Sequence, residues 1–135
     1  MTGILVPFDG SKHSLKALHV ACDLAEKYEN KLFLLYIIQL DAPFELSDVS
    51  PEAHKNAQTI IRKAAVKAKH RGVDFDILDF EYGDPAAGIL AASKRIKPST
   101  IVMGCRGLTA ADAEIFGTAS RAVFEHAECT CISVK

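Results

Sequence analysis

The segment Leu32-Phe33-Leu34-Leu35-Tyr36-Ile37-Ile38 is apolar throughout and shows no alternation. A run this short and uniform fits a strand covered on both faces, as in the centre of a parallel sheet. Gly3 to Phe8 and Ser99 to Met103 read in the same way. Between such runs the pattern changes to helical spacing. After Asp9-Gly10-Ser11, where Ser11 suits an N-cap, Leu15, Leu18, Cys22, Ala25 and Tyr28 form one stripe. Lys12, Lys16, Asp23, Glu26 and Lys27 mostly fall opposite, and Asn30 is placed to end the helix. Strands alternating with helices imply right-handed crossovers, hence an α/β domain with a parallel sheet wrapped on both faces.

The rest of the chain continues the alternation. Gln39 to Ser50 reads as an irregular excursion, and Ser50-Pro51 as the N-cap and first residue of a second helix that ends before Gly72. Val73 to Tyr82 sets Phe75, Ile77 and Phe80 among Asp74, Asp76, Asp79 and Glu81, a charge pattern that suits an edge strand by blocking unwanted pairing. Gly83-Asp84-Pro85 opens a third helix, with Ile89, Leu90, Ala92 and Ile96 as its buried stripe and Pro98 beyond its end. A last helix is expected around Ser120 to His126, and Thr130 to Val134 closes the chain as a fifth strand.

The 135 residues suit one domain spanning 1–135 with a core of its own. Sixteen Lys plus Arg against seventeen Asp plus Glu leave a net charge of -1, so no global field favours nucleic acid or an anionic membrane. The basic cluster Lys63, Lys67, Lys69, His70 and Arg71 lies at a helix end, where it offsets the dipole and needs no polyanion. No apolar run approaches the roughly 20 residues of a membrane span. The N-terminal Met1-Thr2-Gly3-Ile4 has no basic region of the secretory kind, so a cytoplasmic location is expected. Cys22, Cys105, Cys129 and Cys131 include no C-x-x-C pair and are expected to be reduced, Cys129-x-Cys131 reading as strand core in place of a metal or redox pair.

In open sheets of this kind ligands bind beyond the carboxyl ends of the strands, where strand order reverses. Two segments there suit a phosphate. Met103-Gly104-Cys105-Arg106-Gly107 follows a buried strand, with glycines that permit close backbone approach or positive φ and an arginine that brings a permanent cation. Gly117-Thr118-Ala119-Ser120 opens the last helix, where unpaired N–H groups, the positive dipole end and two hydroxyls converge. Each alone is ordinary turn and cap chemistry.

Together they form a spaced signature: Gly104, two residues, Gly107, nine residues, then Gly117-Thr118. In this the chain resembles the ATP-binding branch of the universal stress protein family. The resemblance extends to Ile4-Leu5-Val6-Pro7-Phe8-Asp9-Gly10-Ser11, to Gly83-Asp84-Pro85 and to the closing run Cys129 to Val134. It implies a single-domain, open five-stranded parallel sheet of order 3-2-1-4-5, Rossmann-like and of the adenine nucleotide alpha hydrolase-like type. It also implies a homodimer joined through Thr130 to Val134, and an adenine nucleotide (ATP, AMP or ADP) as ligand. Position by position, Pro7 and Asp9 would flank the adenosine and Ile37 would meet adenine through its backbone. Met103, Gly104, Arg106 and Gly107 would line the ribose and phosphates, and Gly117, Thr118, Ala119 and Ser120 would hold phosphate oxygens. Asp9 suits two roles, a turn carboxylate before the first helix and a contact to the ribose or to a nucleotide-bound metal.

Leu108 to Phe116 departs from an ideal triphosphate site, since it carries Asp112 and Glu114 and no Lys or Arg. Triphosphate affinity is therefore expected to depend strongly on Mg²⁺, contacted by Asp9 or Asp112 directly or through water. The chain has no G-x-x-x-x-G-K-[ST] motif, and none of its histidines sits in a recognisable catalytic motif, although His13 is near enough in sequence to approach a γ-phosphate. Cys105 reads as a small spacer. No catalytic residue is assigned, and the leading expectation is a regulatory or stress-response binding module. Slow ATP hydrolysis or autophosphorylation is the alternative, and a dimeric stress protein with a vestigial pocket the second.

Overall fold

A computed structural model describes residues 3–106 and 117–135. Among them the elements run β1 (Ile4–Pro7), α1 (Lys12–Tyr28), β2 (Leu32–Leu35), β3 (Ile37–Ile38), α2 (Pro51–His70), β4 (Phe75–Ile77), β5 (Glu81–Tyr82), α3 (Pro85–Ile96), β6 (Thr100–Gly104), α4 (Thr118–His126) and β7 (Thr130–Val134). The main sheet has five parallel strands ordered β4-β2-β1-β6-β7. Counted in chain order within that sheet, this is 3-2-1-4-5, with the acidic strand and the closing strand at the two edges.

Side-chain alternation sends apolar residues to both faces, which is why the central runs show none in their hydrophobicity. Ile4, Val6, Leu32, Leu34 and Val102 pack beneath α1 and α2, while Leu5, Leu35, Ile101 and Met103 pack beneath α3 and α4. The helices bury small residues against the sheet: Ala17, Ala21, Cys22 and Ala25 on α1, and Ala86, Gly88 and Ala92 on α3. These small residues allow close approach and sit beside the expected stripes, of which Leu18, Cys22, Ala25, Ile89 and Ala92 are buried, whereas Tyr28 is exposed at the end of α1. That helix ends one residue before Asn30, on Glu29 in the left-handed region (φ 53°).

The outer strand differs in detail from the expected continuous Val73–Tyr82. Leu34 pairs with Ile77, but Ile37 pairs with Glu81, so the outer strand holds one more residue than the inner over that interval. The extra residue breaks the ladder into β4 and β5 in the manner of a bulge. Leu78 N–H and Glu81 N–H still donate to Leu34 and Tyr36 at 2.9 and 3.3 Å. The third helix starts as its sequence dictates: Asp84 Oδ2 accepts from Ala87 N–H at 2.9 Å, and Pro85 occupies the first turn.

Gly83, between β5 and α3, holds φ +99°, and a Cβ there would lie 2.7 Å from the Phe44 ring. Phe44 belongs to the 39–50 excursion, which also carries a short 3₁₀ turn at Leu46–Asp48. Gly83→Ala combines positive-φ strain with displacement of that ring, and is expected to cost about 1–2 kcal/mol. Faster proteolytic cleavage within 39–50, with the main sheet still intact, is the measurement that checks it.

Candidate functional site

α1 and α2 cover one face and α3 and α4 the other, so strand order reverses between β1 and β6. The crevice beyond their carboxyl ends is the ligand position that this topology offers. β1 delivers Pro7 and Asp9 to it. Pro7 is buried and in register with Leu35. Asp9 is partly exposed, and its Oδ1 accepts from Ser11 N–H at 2.9 Å. The turn role of Asp9 is thus realised, with Gly10 at φ +87° completing the bend. Ser11 then caps α1, its hydroxyl accepting from Ser14 N–H at 3.1 Å.

On the β2 side the chain continues into β3. Tyr36 and Ile38 turn their carbonyls outward, accepting from Glu81 N–H and Gly83 N–H at 3.3 and 2.9 Å. Backbone alternation therefore points the carbonyl and N–H of Ile37 to the inner side, where β1 has already ended at Pro7. The side chain of Ile37 packs on α3 at Gly88, leaving its backbone to face the crevice.

At the β6 end the sequence-predicted residues separate into two kinds. Met103 is buried in the core under α3 and α4, so only its backbone is available to a ligand. Gly104 is a strand residue without positive φ. A Cβ on it would lie 2.8 Å from the Cβ and carbonyl carbon of His13 and 3.0 Å from the His13 oxygen. Its lack of a side chain admits the α1 backbone, a packing demand distinct from the ligand access and positive φ expected of it. Arg106 is half-buried and close enough to disfavour protonation of His13.

Gly107 and Asp112 lie outside the described residues. Across that interval the two phosphate-suited segments are joined directly. Gly117 N–H donates to Cys105 C=O at 2.6 Å, and the Ser120 hydroxyl donates to Gly104 C=O at 2.7 Å. The hydroxyl proton of Ser120 is therefore spent on β6. The helical ladder starts with Arg121 N–H donating to Gly117 C=O at 3.1 Å, and Gly117 supplies no side-chain cap. The N–H groups of Thr118, Ala119 and Ser120 precede that ladder at the positive dipole end. α4 starts at Thr118, two residues before the expected position, and the Thr118 side chain is exposed.

His13 lies below its ordinary pKa, first because of partial desolvation and then because Arg106, Lys12 and Lys16 oppose its charging, with Asp9 pulling the other way. The unfolded chain thus binds the additional proton in the window below about 6.5, and His13 lowers stability as pH falls through it. Burial raises the Tyr36 phenol, with a further contribution from Asp9; the ring meets Phe80 edge-on at 6.1 Å. Sequence patterning hid this aromatic neighbour of the crevice inside a uniformly apolar run. Among the described residues no group of three or more metal-ligating side chains converges. A shallow groove at the start of α2, lined by Leu46, Pro51, His54 and Tyr82 among others, contains none of the predicted residues. No helix among the described residues is long and apolar enough to cross a membrane.

Comparison with known proteins agrees with this architecture. The family model described as "Universal stress protein family" matches residues 1–135. The universal stress protein YxiE of Bacillus subtilis is 28% identical over 146 residues, covering 98% of this chain and 97% of the relative. A solved universal stress protein in complex with cAMP superimposes with a TM-score of 0.77 at 23% identity, covering 99% of this chain and 97% of that one. The universal stress protein of Archaeoglobus fulgidus in complex with dAMP gives a TM-score of 0.80 at 17% identity, covering 100% and 98%.

Proposed function

Because the chain belongs to the universal stress protein family, we propose that it is an adenine-nucleotide-binding module with a regulatory or stress-response role. The observation that carries this reading is the joining of β6 to α4 by the Cys105–Gly117 and Gly104–Ser120 hydrogen bonds. These hold three helix-start N–H groups beside Arg106 at the strand-order reversal, a combination suited to a phosphate. The inward backbone of Ile37 supplies the polar edge an adenine needs, and Pro7 and Asp9 close the adenosine side. The complexes of the structural neighbours with cAMP and dAMP support a nucleotide of this class.

Denaturing the purified protein and identifying what it releases by chromatography and mass spectrometry tests the reading. An adenine nucleotide is the expected product. A protein that releases none and also fails to bind added AMP, ADP or ATP in calorimetry overturns it. ATP is the proposed triphosphate ligand, with Mg²⁺ carried on its phosphates and Asp9 beside it. Since Arg106 and one helix start are little cationic charge for a triphosphate, ATP affinity is expected to fall by about tenfold or more in EDTA, roughly 1.4 kcal/mol. Equal affinity with and without the chelator rules that dependence out.

The partner surface of the module is proposed to be β7. It is an edge of the sheet, and Ile132 and Val134 are only partly buried. A twofold dimer pairing this strand with its copy would cover them. The location proposed for the module is the cytoplasm.

A further inference from the structure

His13 stands where the two halves of the crevice meet. It is the second residue of α1, it is half-exposed, and its Cβ lies 2.8 Å from where a Cβ on Gly104 would sit. Asp9 approaches it from the end of β1, Arg106 from the end of β6, and Lys12 and Lys16 from its own helix. These are the charged groups that act on it among the described residues, three cations against one carboxylate.

We propose that His13 is a phosphate-contacting residue whose imidazole takes up a proton when a nucleotide phosphate enters between α1 and the junction of β6 with α4. The inference rests on the nucleotide reading above. Without a phosphate, partial desolvation and then the surrounding cations disfavour charging of the ring. A phosphate offsets those cations and offers an acceptor to a ring N–H, and both effects reverse the preference. Linkage then requires the converse: the imidazolium form binds the phosphate more tightly than the neutral form. His13 would thereby distinguish nucleotides that carry an anionic phosphate at this point from nucleosides that do not.

The experiment follows the imidazole resonances of His13 by NMR through a pH titration of the full chain, alone, saturated with 5′-AMP, and saturated with adenosine. AMP is expected to raise the His13 midpoint by about one unit or more, equivalent to a tenfold preference of phosphate for the protonated ring. Adenosine is expected to leave the midpoint in place. Because the AMP phosphate itself titrates near pH 6, AMP affinity is also compared between wild type and His13→Gln from about pH 5.5 to 8. The wild type is expected to gain relative affinity on the acid side. If AMP saturates the protein while the His13 midpoint stays fixed, or if adenosine moves it equally, the proposal is overturned and the nucleotide reading stands. If no AMP binds, the nucleotide reading fails and takes the proposal with it.

Discussion

Gly104→Ala is expected to lower stability by about 1–3 kcal/mol, and Gly104→Val by more, because each places a carbon where the α1 backbone already lies. The added Cβ would sit 2.8 Å from the carbonyl carbon of His13 and 3.0 Å from its oxygen. These are main-chain atoms of a helix, so no rotamer change relieves the contact and α1 must shift off the sheet. α1 covers the central strands with Ala17, Leu18, Ala21 and Cys22, all fully buried, so a shift large enough to admit a methyl loosens close packing along the whole helix. Thermal denaturation should show a midpoint lower by roughly 3–12 °C for the alanine variant. Nucleotide affinity should fall in parallel, since Asp9, Ser11 and His13 move with α1 relative to Arg106 and α4. An alanine variant with an unchanged midpoint would mean that α1 and β6 are not in the contact described.

That contact marks a boundary of what the amino-acid sequence makes legible. The topology is readable because uniformly apolar strands, capped helix starts and the acidic edge each follow from a local rule. The strand order, with its second edge at β7 and its reversal between β1 and β6, follows from the family resemblance and not from those local rules. The break between β4 and β5 is not readable in this way. Charged residues through Val73–Tyr82 blur the period of two, and the extra residue shows only when Ile77 and Glu81 are registered against β2. Gly104 and Ser120 illustrate the same limit at the site. A glycine after a strand looks alike whether it admits a ligand or a helix backbone, and a serine at a helix start looks alike whether its hydroxyl meets phosphate or a neighbouring carbonyl. Long-range neighbours decide, and here His13 and Gly104 C=O are those neighbours. Ile37 is named by the family resemblance alone; its proposed contact is through the backbone, whose direction follows from strand alternation and not from side-chain identity.

Ser120 and Thr118 lie in the same helical turn and are expected to respond differently to the same substitution, both in affinity but only Ser120 in stability. The Ser120 hydroxyl is buried and donates to Gly104 C=O at 2.7 Å. Ser120→Ala leaves that buried carbonyl without this donor, at a cost of about 1–3 kcal/mol. It also removes one of the two hydrogen bonds that, among the described residues, join the start of α4 to the end of β6, leaving the one from Gly117 to Cys105. Stability should therefore fall, and nucleotide affinity should fall because the N–H groups of the first turn are no longer held in place. Thr118 is exposed and begins the helix. Thr118→Ala is expected to leave stability within about 0.5 kcal/mol of wild type, as for other surface substitutions, while AMP affinity drops by about threefold to tenfold through loss of one hydroxyl contact. Paired denaturation and calorimetry on the two variants separate these effects. Equal losses of affinity at unchanged stability would instead mean that both hydroxyls reach the ligand, and that the Ser120 hydroxyl abandons Gly104 when a phosphate binds. The Ser120 and Thr118 side chains would then be a single phosphate clamp, in place of a Ser120 strut and a separate, proposed Thr118 ligand contact.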